Sequence, residues 1–427
     1  MHTIFRVGEI KQTTTSSRLW EVQLTLTDDN DPQLASLTQR IREEIDGVGW
    51  YRMGKLILKV RHFNQAQALY NELLKNSSSD SDRAHIHHQL GRVKSMEGQY
   101  KEAISFYEKF LEIKGNIVSE DCPSSAHIYH DIGEAYHNMG DYSKAIEFYE
   151  KAFKIREEYL PPNHPDLANL YTNIGLTYNN LGNYSKALEY YEKANKIYEI
   201  ALPPNHPDLA TLYSNMGLTY NDTSNYSKAL EYYEKALKIR EESVPLSHVD
   251  LAQSYNNIGE VYNKMGDYSK TFEFYEKALK IREEYLPPNH PDLAQSYNNI
   301  GGVYNNMNDY SKALEYYEKA NKIYEKGLSP NHSSLATSYN NIGLMYSKMG
   351  DYSKALEFYE KALNIREEYL PPNHPDLAEL YNNIDEVYNK MDDDSKAFEL
   401  HEKAHKIAET VVPPKHSDLV DSDLTFF

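Results

Sequence analysis

Apolar positions in this chain recur on two scales. Over short windows they fall at helical spacing. Leu167, Tyr171, Ile174 and Tyr178 follow i, i+4, i+7, i+11 and make one stripe. A break at Gly182 and Asn183 follows, and then a second stripe of Ala187, Leu188, Tyr191, Ala194 and Ile197. Over longer windows this pair of stripes returns every 42 residues, marked by His164, His206, His248, His290, His332, His374 and His416. Gly133, Gly175, Gly217, Gly259, Gly301 and Gly343 keep the same interval. A complete unit reads HPDLANLYTNIGLTYNNLGNYSKALEYYEKANKIYEIALPPN.

Each unit predicts two helices. Pro165 suits a first turn, where its missing N–H matters least. Gly182 and Asn183 tolerate a left-handed backbone and stop the first helix. Ser185 is placed to cap the second, and Pro203 and Pro204 end it. Helices of roughly 15–17 residues are roughly 22–26 Å long. Neither buries its stripe alone, so successive pairs must stack into a continuous core. Gly175, Ala187 and Ala194 leave room for Tyr171 and Tyr191, which accounts for most of the 38 tyrosines.

Residues 123–412 hold seven such units, starting near Ser124, Asp166, Asp208, Asp250, Asp292, Ser334 and Asp376. Residues 46–122 hold two divergent ones. One starts near Asp82 and keeps Gly91, Gly98, Ala103 and Tyr107. The other starts near Asp46 with Trp50, Gly54, Ala66 and Tyr70. The last unit is degenerate: Asp385 replaces the packing glycine, and Asp392, Asp393 and Asp394 replace Gly-Asp-Tyr. A polar end unit is expected where one face has no neighbour. Residues 413–427 form a C-terminal tail. Residues 1–45 depart from the period: TIFRVGEI and LWEVQLTLT alternate in strand fashion around a Thr/Ser connection, which predicts a β-hairpin and linker.

Trp50, Gly54, Ile57, Ala66 and Tyr70 resemble the tetratricopeptide pattern, as do Tyr171, Ile174, Gly175, Tyr178, Ala187, Tyr191 and Ala194. The 42-residue unit, with its HPDLA start and IREEYLPPNHP connection, more specifically resembles the repeats of kinesin light chains. That resemblance implies an all-α fold: a right-handed superhelical solenoid of antiparallel helix pairs, about nine repeats long, with the short N-terminal β-hairpin in front. The heptad segment by which kinesin light chains attach to their motor is not seen before the repeats. MHTIFRVGEIKQ and LWEVQLTLTDDND resemble the closing strands of arginine-specific ADP-ribosyltransferase domains. Those enzymes need an arginine, a Ser-Thr-Ser strand and a Glu-x-Glu motif. Glu9 and Glu21 do not match it. An ordinary cap for the repeat stack is an equal reading of this segment.

The first helix has a polar side as well as an apolar one. In the unit from Asp166 it carries Asn169, Thr172, Asn173, Leu176, Asn179 and Asn180. Asn173, Asn215, Asn257, Asn299, Asn341 and Asn383 hold equivalent positions. Asn256, Asn298, Asn340 and Asn382 come one residue earlier, and Asn179, Asn221, Asn263, Asn305 and Asn389 come about two turns on. An amide offers a donor and an acceptor, so a row of them suits the backbone of an extended peptide. Tetratricopeptide proteins that bind peptides resemble this, with asparagines at the position of Asn173. The expectation is therefore a protein-interaction scaffold or adaptor, its peptide-binding groove lined by these amides, with specificity from Glu260, Glu386, Lys264 and Lys348. The competing readings are amides that solvate the face or bridge adjacent helices, and a targeting half of a truncated NAD-dependent arginine ADP-ribosyltransferase.

The formal net charge of −19 sets acidic residues among lysines along the helices, a surface that repels nucleic acid. No apolar run approaches the roughly 18 residues of a membrane span, and none resembles a secretory signal. A single cysteine, Cys122, excludes an internal disulfide and suits a cytoplasmic setting. Sequence predicts no catalytic residues, no cofactor and no metal. Equivalent histidines of adjacent units are two helix layers apart, each roughly 8–10 Å thick, whereas zinc ligands lie about 2 Å from one ion. His164 and its copies are expected at helix entries instead. His85, His87 and His88 show no ligand partners nearby in sequence.

Overall fold

The computed structural model describes residues 4–12, 20–27, 54, 57–58, 62–77, 79–115, 123–242 and 248–411. The expectations for Asp46, Trp50, Cys122 and the tail 413–427 lie outside these residues. The chain forms two compact units, Met1–Tyr159 and Leu160–Phe427.

In the first unit, strands β1 (Ile4–Gln12) and β2 (Trp20–Thr27) pair antiparallel, with a register shift between Val7 and Ile10. The helices are α1 (Phe63–Asn76), α2 (Asp80–Met96), α3 (Tyr100–Gly115), α4 (Pro123–Asn138) and α5 (Tyr142–Tyr159). The second unit holds α6 (Pro165–Asn180), α7 (Tyr184–Ala201), α8 (Pro207–Asp222), α9 (Tyr226–Glu242), α10 (His248–Lys264) and α11 (Tyr268–Tyr285). It continues with α12 (Pro291–Asn306), α13 (Tyr310–Gly327), α14 (Ser333–Lys348), α15 (Tyr352–Tyr369), α16 (Pro375–Lys390) and α17 (Asp394–Val411). Even-numbered helices are the first of each pair and odd-numbered the second. Within each unit, each helix packs chiefly on its chain neighbours, as a stacked array requires.

Within a pair, a glycine of the first helix receives a tyrosine ring of the second. A Cβ built on Gly175 would lie 2.6 Å from Tyr191, and one on Gly343 2.7 Å from Tyr359. Gly91 meets Tyr107, and Gly54 meets Tyr70, in the same way. Tyr70, Tyr107, Tyr191 and Tyr359 are buried, with fully buried alanines such as Ala187 and Ala194 beside them. Burying a large ring of this kind stabilises by roughly 1.5–3 kcal/mol, repeated in the pairs from Tyr70 to Tyr359. Tyr171 is only half-buried. Its ring tilts against Tyr190 at 5.9 Å, while Tyr178 stacks on Tyr190 at 5.6 Å. Lys186 and Lys193 lie over Tyr178 and Tyr190 at 4.9 and 4.7 Å. The partly exposed tyrosines therefore lace the two helices of a pair together.

Helix ends follow local chemistry. His164 Nδ1 accepts from the Asp166 N–H at 3.2 Å, and His206, His290, His332 and His374 do the same two residues on. The second helix is capped by Asn183, whose Oδ1 accepts from Lys186 N–H at 3.3 Å. Ser185, the expected cap, instead lies exposed inside α7. The reason is that Gly182 takes φ 77° and turns the chain, so the residue directly after it already stands at the entry of the new helix. The Asn183 N–H returns to the Tyr178 carbonyl at 2.8 Å, closing the end of α6.

Three repeats lack this glycine. Ser224, Asn308 and Asp392 take φ 58°, 61° and 58° at the same turn, a backbone region that costs a side-chain-bearing residue about 1–2 kcal/mol. Ser224→Gly is expected to stabilise the protein by about 0.5–1 kcal/mol, the strain relieved less the entropy that glycine loses on folding. A rise in the thermal unfolding midpoint checks this; an unchanged or lower midpoint contradicts it.

Candidate functional site: the inter-repeat face of the first helices

In the second unit the first helices touch directly: α6 meets α8, α8 meets α10, and α14 meets α16. Their contact is polar, and most of its bonds follow one rule. A side chain in one repeat meets a side chain 43 residues on, one period plus one position. Asn299 Nδ2 donates to Asn256 Oδ1 at 2.7 Å, Asn341 to Asn298 at 3.1 Å, and Asn383 to Asn340 at 3.0 Å. Two turns further along, Asn306 donates to Asn263 at 3.2 Å and Asn179 to Asp222 at 3.2 Å. Thr219 adds a bond to Asn179 Oδ1 at 2.6 Å, and Asn221 reaches Glu260 at 3.5 Å.

The structure thus separates the asparagines that sequence grouped together. Asn179, Asn221, Asn256 and Asn340 are buried and bonded to a neighbouring repeat, so they join repeats and cannot face a guest. Asn173, Asn215, Asn257, Asn299, Asn341, Asn383, Asn298, Asn263 and Asn305 are half-buried, and Asn382 and Asn389 are exposed. The bridge from Asn299, Asn341 or Asn383 uses one N–H of an amide that carries two, together with an oxygen. Asn257 accepts from Gln253 at 2.7 Å, and Asn173 donates to Asn169 at 3.4 Å. Of the flanking charges, Lys264 pairs with Glu260 at 3.0 Å.

Sequence reasoning missed the arginines of the second helices. Arg282 in α11 is buried; it donates to the Asp292 carbonyl at 2.9 Å, to Ser296 Oγ at 2.8 Å and to Gln253 Oε1 at 3.1 Å. One guanidinium so ties α10, α11 and α12. Arg366 reaches the Asp376 carbonyl at 2.7 Å in the same manner, and Arg240 bonds Ser254. Burial pushes the Arg282 and Arg240 pKa values down, with Asp292 and Asp250 opposing. The signal was the recurring Ile-Arg before the connection, which reads as ordinary helix-end charge.

The first unit carries different chemistry in the same slot. His88 of α2 and Asp131 of α4 are again 43 residues apart, and His88 Nε2 lies 2.8 Å from Asp131 Oδ2. His130 Nδ1 lies 3.4 Å from the other oxygen, Oδ1. Burial alone would raise the Asp131 carboxyl pKa; the hydrogen bonds to His130 and His88 more than reverse this and hold it at about 2. A carboxyl lowered on folding stabilises above its unfolded pKa of about 4, and that stability is lost as pH falls through the folded value. Asp131→Asn is therefore expected to lower the unfolding midpoint between pH 5 and 7. The difference from wild type should shrink as pH falls from about 4 to about 2; a difference independent of pH would remove the electrostatic account.

Stacked helix pairs joined by a periodic polar seam define a helical-repeat protein. Tetratricopeptide repeat models match residues 124–200, 180–242, 250–326 and 333–410, and a second such model matches 84–117. The chain belongs to the tetratricopeptide repeat family. No curated protein sequence matches it. Among solved structures it is similar to apo RapI, at 17% identity over 85% of this chain and 98% of that one, with a TM-score of 0.57. It is similar to the apo quorum sensor NprR of B. thuringiensis, at 15% identity, 78% and 92% coverage and a TM-score of 0.58. It is also similar to a Rap protein complexed with competence and sporulation factor, at 18% identity, 85% and 96% coverage and a TM-score of 0.52. At these identities the likeness is one of fold. The transferase-like reading of residues 1–45 falls outside the described residues except for the backbone pairing of β1 with β2. Among the described residues no helix is long and apolar enough to cross a membrane.

Proposed function

We propose that the protein is a non-enzymatic interaction scaffold of the kinesin-light-chain-like type, and that the first-helix face of the second unit holds an extended peptide or partner chain. The contact row is Asn173, Asn215, Asn257, Asn299, Asn341 and Asn383. One observation carries the reading: these amides stay half-buried at one-repeat spacing while their neighbours Asn256 and Asn340 are buried in the seam. The bridges fix the amide planes of Asn299, Asn341 and Asn383, so a guest backbone meets oriented groups and little ordering entropy is lost on binding. Each net hydrogen bond adds only about 0.5–1.5 kcal/mol. Selectivity then falls to the charged groups beside the row, Glu260, Lys264, Lys348 and Glu386. Supporting this, one structure of similar fold is a Rap protein complexed with competence and sporulation factor.

Two triple variants test the reading. Asn257→Ala, Asn299→Ala and Asn341→Ala together remove half of the row. Asn256→Ala, Asn298→Ala and Asn340→Ala together break the three seam bonds to Asn299, Asn341 and Asn383 and leave the row's own side chains in place. Affinity capture should show the first variant losing partners that the wild type retains, and the second, whose row is present but no longer oriented, holding them less firmly than the wild type, with both variants equally helical by circular dichroism. Equal retention by all three proteins would refute the groove, and turnover of NAD by the purified chain would refute the non-enzymatic reading.

A further inference from the structure

The slot between α2 and α4 differs from its counterparts in chemistry, not in place. At the positions of Asn256 and Asn299 stand His88 and Asp131, each 168 residues earlier, four full periods. The position of His130 is held by Thr172, Ser214, Asn256, Asn298 and Asn340 in later repeats, and that of Glu134 by Leu176, Leu218, Glu260, Gly302, Leu344 and Glu386. A pair of neutral amides has been replaced by two imidazoles and two carboxylates.

Their geometry converges. His130 and Glu134 are four residues apart on α4, so they share a face. One ligand atom each from His130, Asp131 and Glu134 lies within 4.8 Å of the others, the one such group among the described residues. His88 stands outside that group of three and reaches it from the previous repeat through Asp131, with its Nε2 2.8 Å from Oδ2. Bonds of about 2 Å in a tetrahedron place ligand atoms roughly 3.3 Å apart, so binding an ion requires the group to contract. The imidazoles are held in place: the ring of His88 lies 6.0 Å from those of both Tyr107 and Phe110, and His130 lies 5.6 Å from Tyr149. The His88, His130 and Asp131 side chains are 20%, 18% and 22% exposed, enough for an ion to enter and little enough to limit competition from water.

We propose that His88, His130, Asp131 and Glu134 form a zinc site that clamps the repeat of α2 to the repeat of α4. Two nitrogen and two carboxylate ligands suit a divalent transition ion over magnesium or calcium, which prefer oxygen alone. The site does not depend on the groove of the second unit.

The test uses the full chain without a polyhistidine tag, stripped with chelator and titrated with zinc chloride by calorimetry. The expected result is one saturable zinc per chain, a raised unfolding midpoint, and no response to excess magnesium. The double variant His88→Asn with Asp131→Asn installs the amide pair used by the second unit, so the fold has a native precedent; circular dichroism verifies it. That variant should lose the site. Glu134→Gln should weaken it by about tenfold or more, at least the cost of losing a supporting partner around a metal. His164→Asn, which alters a histidine at a helix cap, should leave it intact. Absence of saturable binding by the wild type, or equal binding by the folded double variant, overturns the proposal.

Discussion

The array rests on a tyrosine ring lying against bare backbone. Where Gly175, Gly217 or Gly343 presents no side chain, Tyr191, Tyr233 or Tyr359 fills the space, and an added Cβ would fall 2.6–2.7 Å from the ring. This contact sets how closely the two helices of a pair approach. The approach in turn sets where the first helix of the next pair can sit, and therefore which polar groups meet across the seam. The last described pair shows the dependence by departing from it. Asp385 stands where the glycine should be and His401 where the tyrosine should be, and the two meet at 3.6 Å. Both partners have changed together, from a steric fit to a polar one, in the pair whose outer face has no described helix to cover it.

Between pairs, three kinds of bond repeat alongside the apolar stack. The amides join first helix to first helix. The arginines join a second helix to the first helix that follows, and Arg282 to the one before it as well. Tyrosine hydroxyls donate back to glutamates of the preceding helix, as Tyr297 does to Glu283 at 2.7 Å and Tyr381 to Glu367 at 3.0 Å. Burial first and the glutamates second push those two phenols up to about 12. By contrast, the lysine–glutamate pairs along the outer helices, such as Lys193 with Glu189 at 2.7 Å, are exposed. Pairs of that kind contribute a few tenths of a kcal/mol, so the stability of the stack lies in its buried polar and apolar contacts and not in its surface charge.

The helix pairs were readable from sequence because both signals that define them are local. Leu167, Ile174 and Ala187 sit at helical spacing, and His164 and Gly182 mark ends through their own backbone preferences. The seam was harder to read because it is a contact between non-equivalent residues. The spacing of equivalent residues by two helix layers fails in the first unit: His88 and His130, one period apart, reach the two oxygens of Asp131, which lies one period and one residue on from His88. Asn256 and Asn257 look interchangeable in sequence, but about 100° of helical rotation separates them. That rotation puts the first in the seam and the second on the open face. The arginines failed to announce themselves for a similar reason, since burial of a terminal guanidinium depends on how the next repeat docks.

An offset of one period plus one residue has a bearing on how arrays of this kind change length. Every seam bond is defined relative to the unit before it, so excising or duplicating a whole 42-residue block leaves each surviving side chain opposite the equivalent position of another repeat. Gene segments of that size can be gained or lost without a compensating substitution elsewhere. A cut of any other size would slide the donors just after it off the acceptors just before it, while pairs lying wholly to one side would keep their offset.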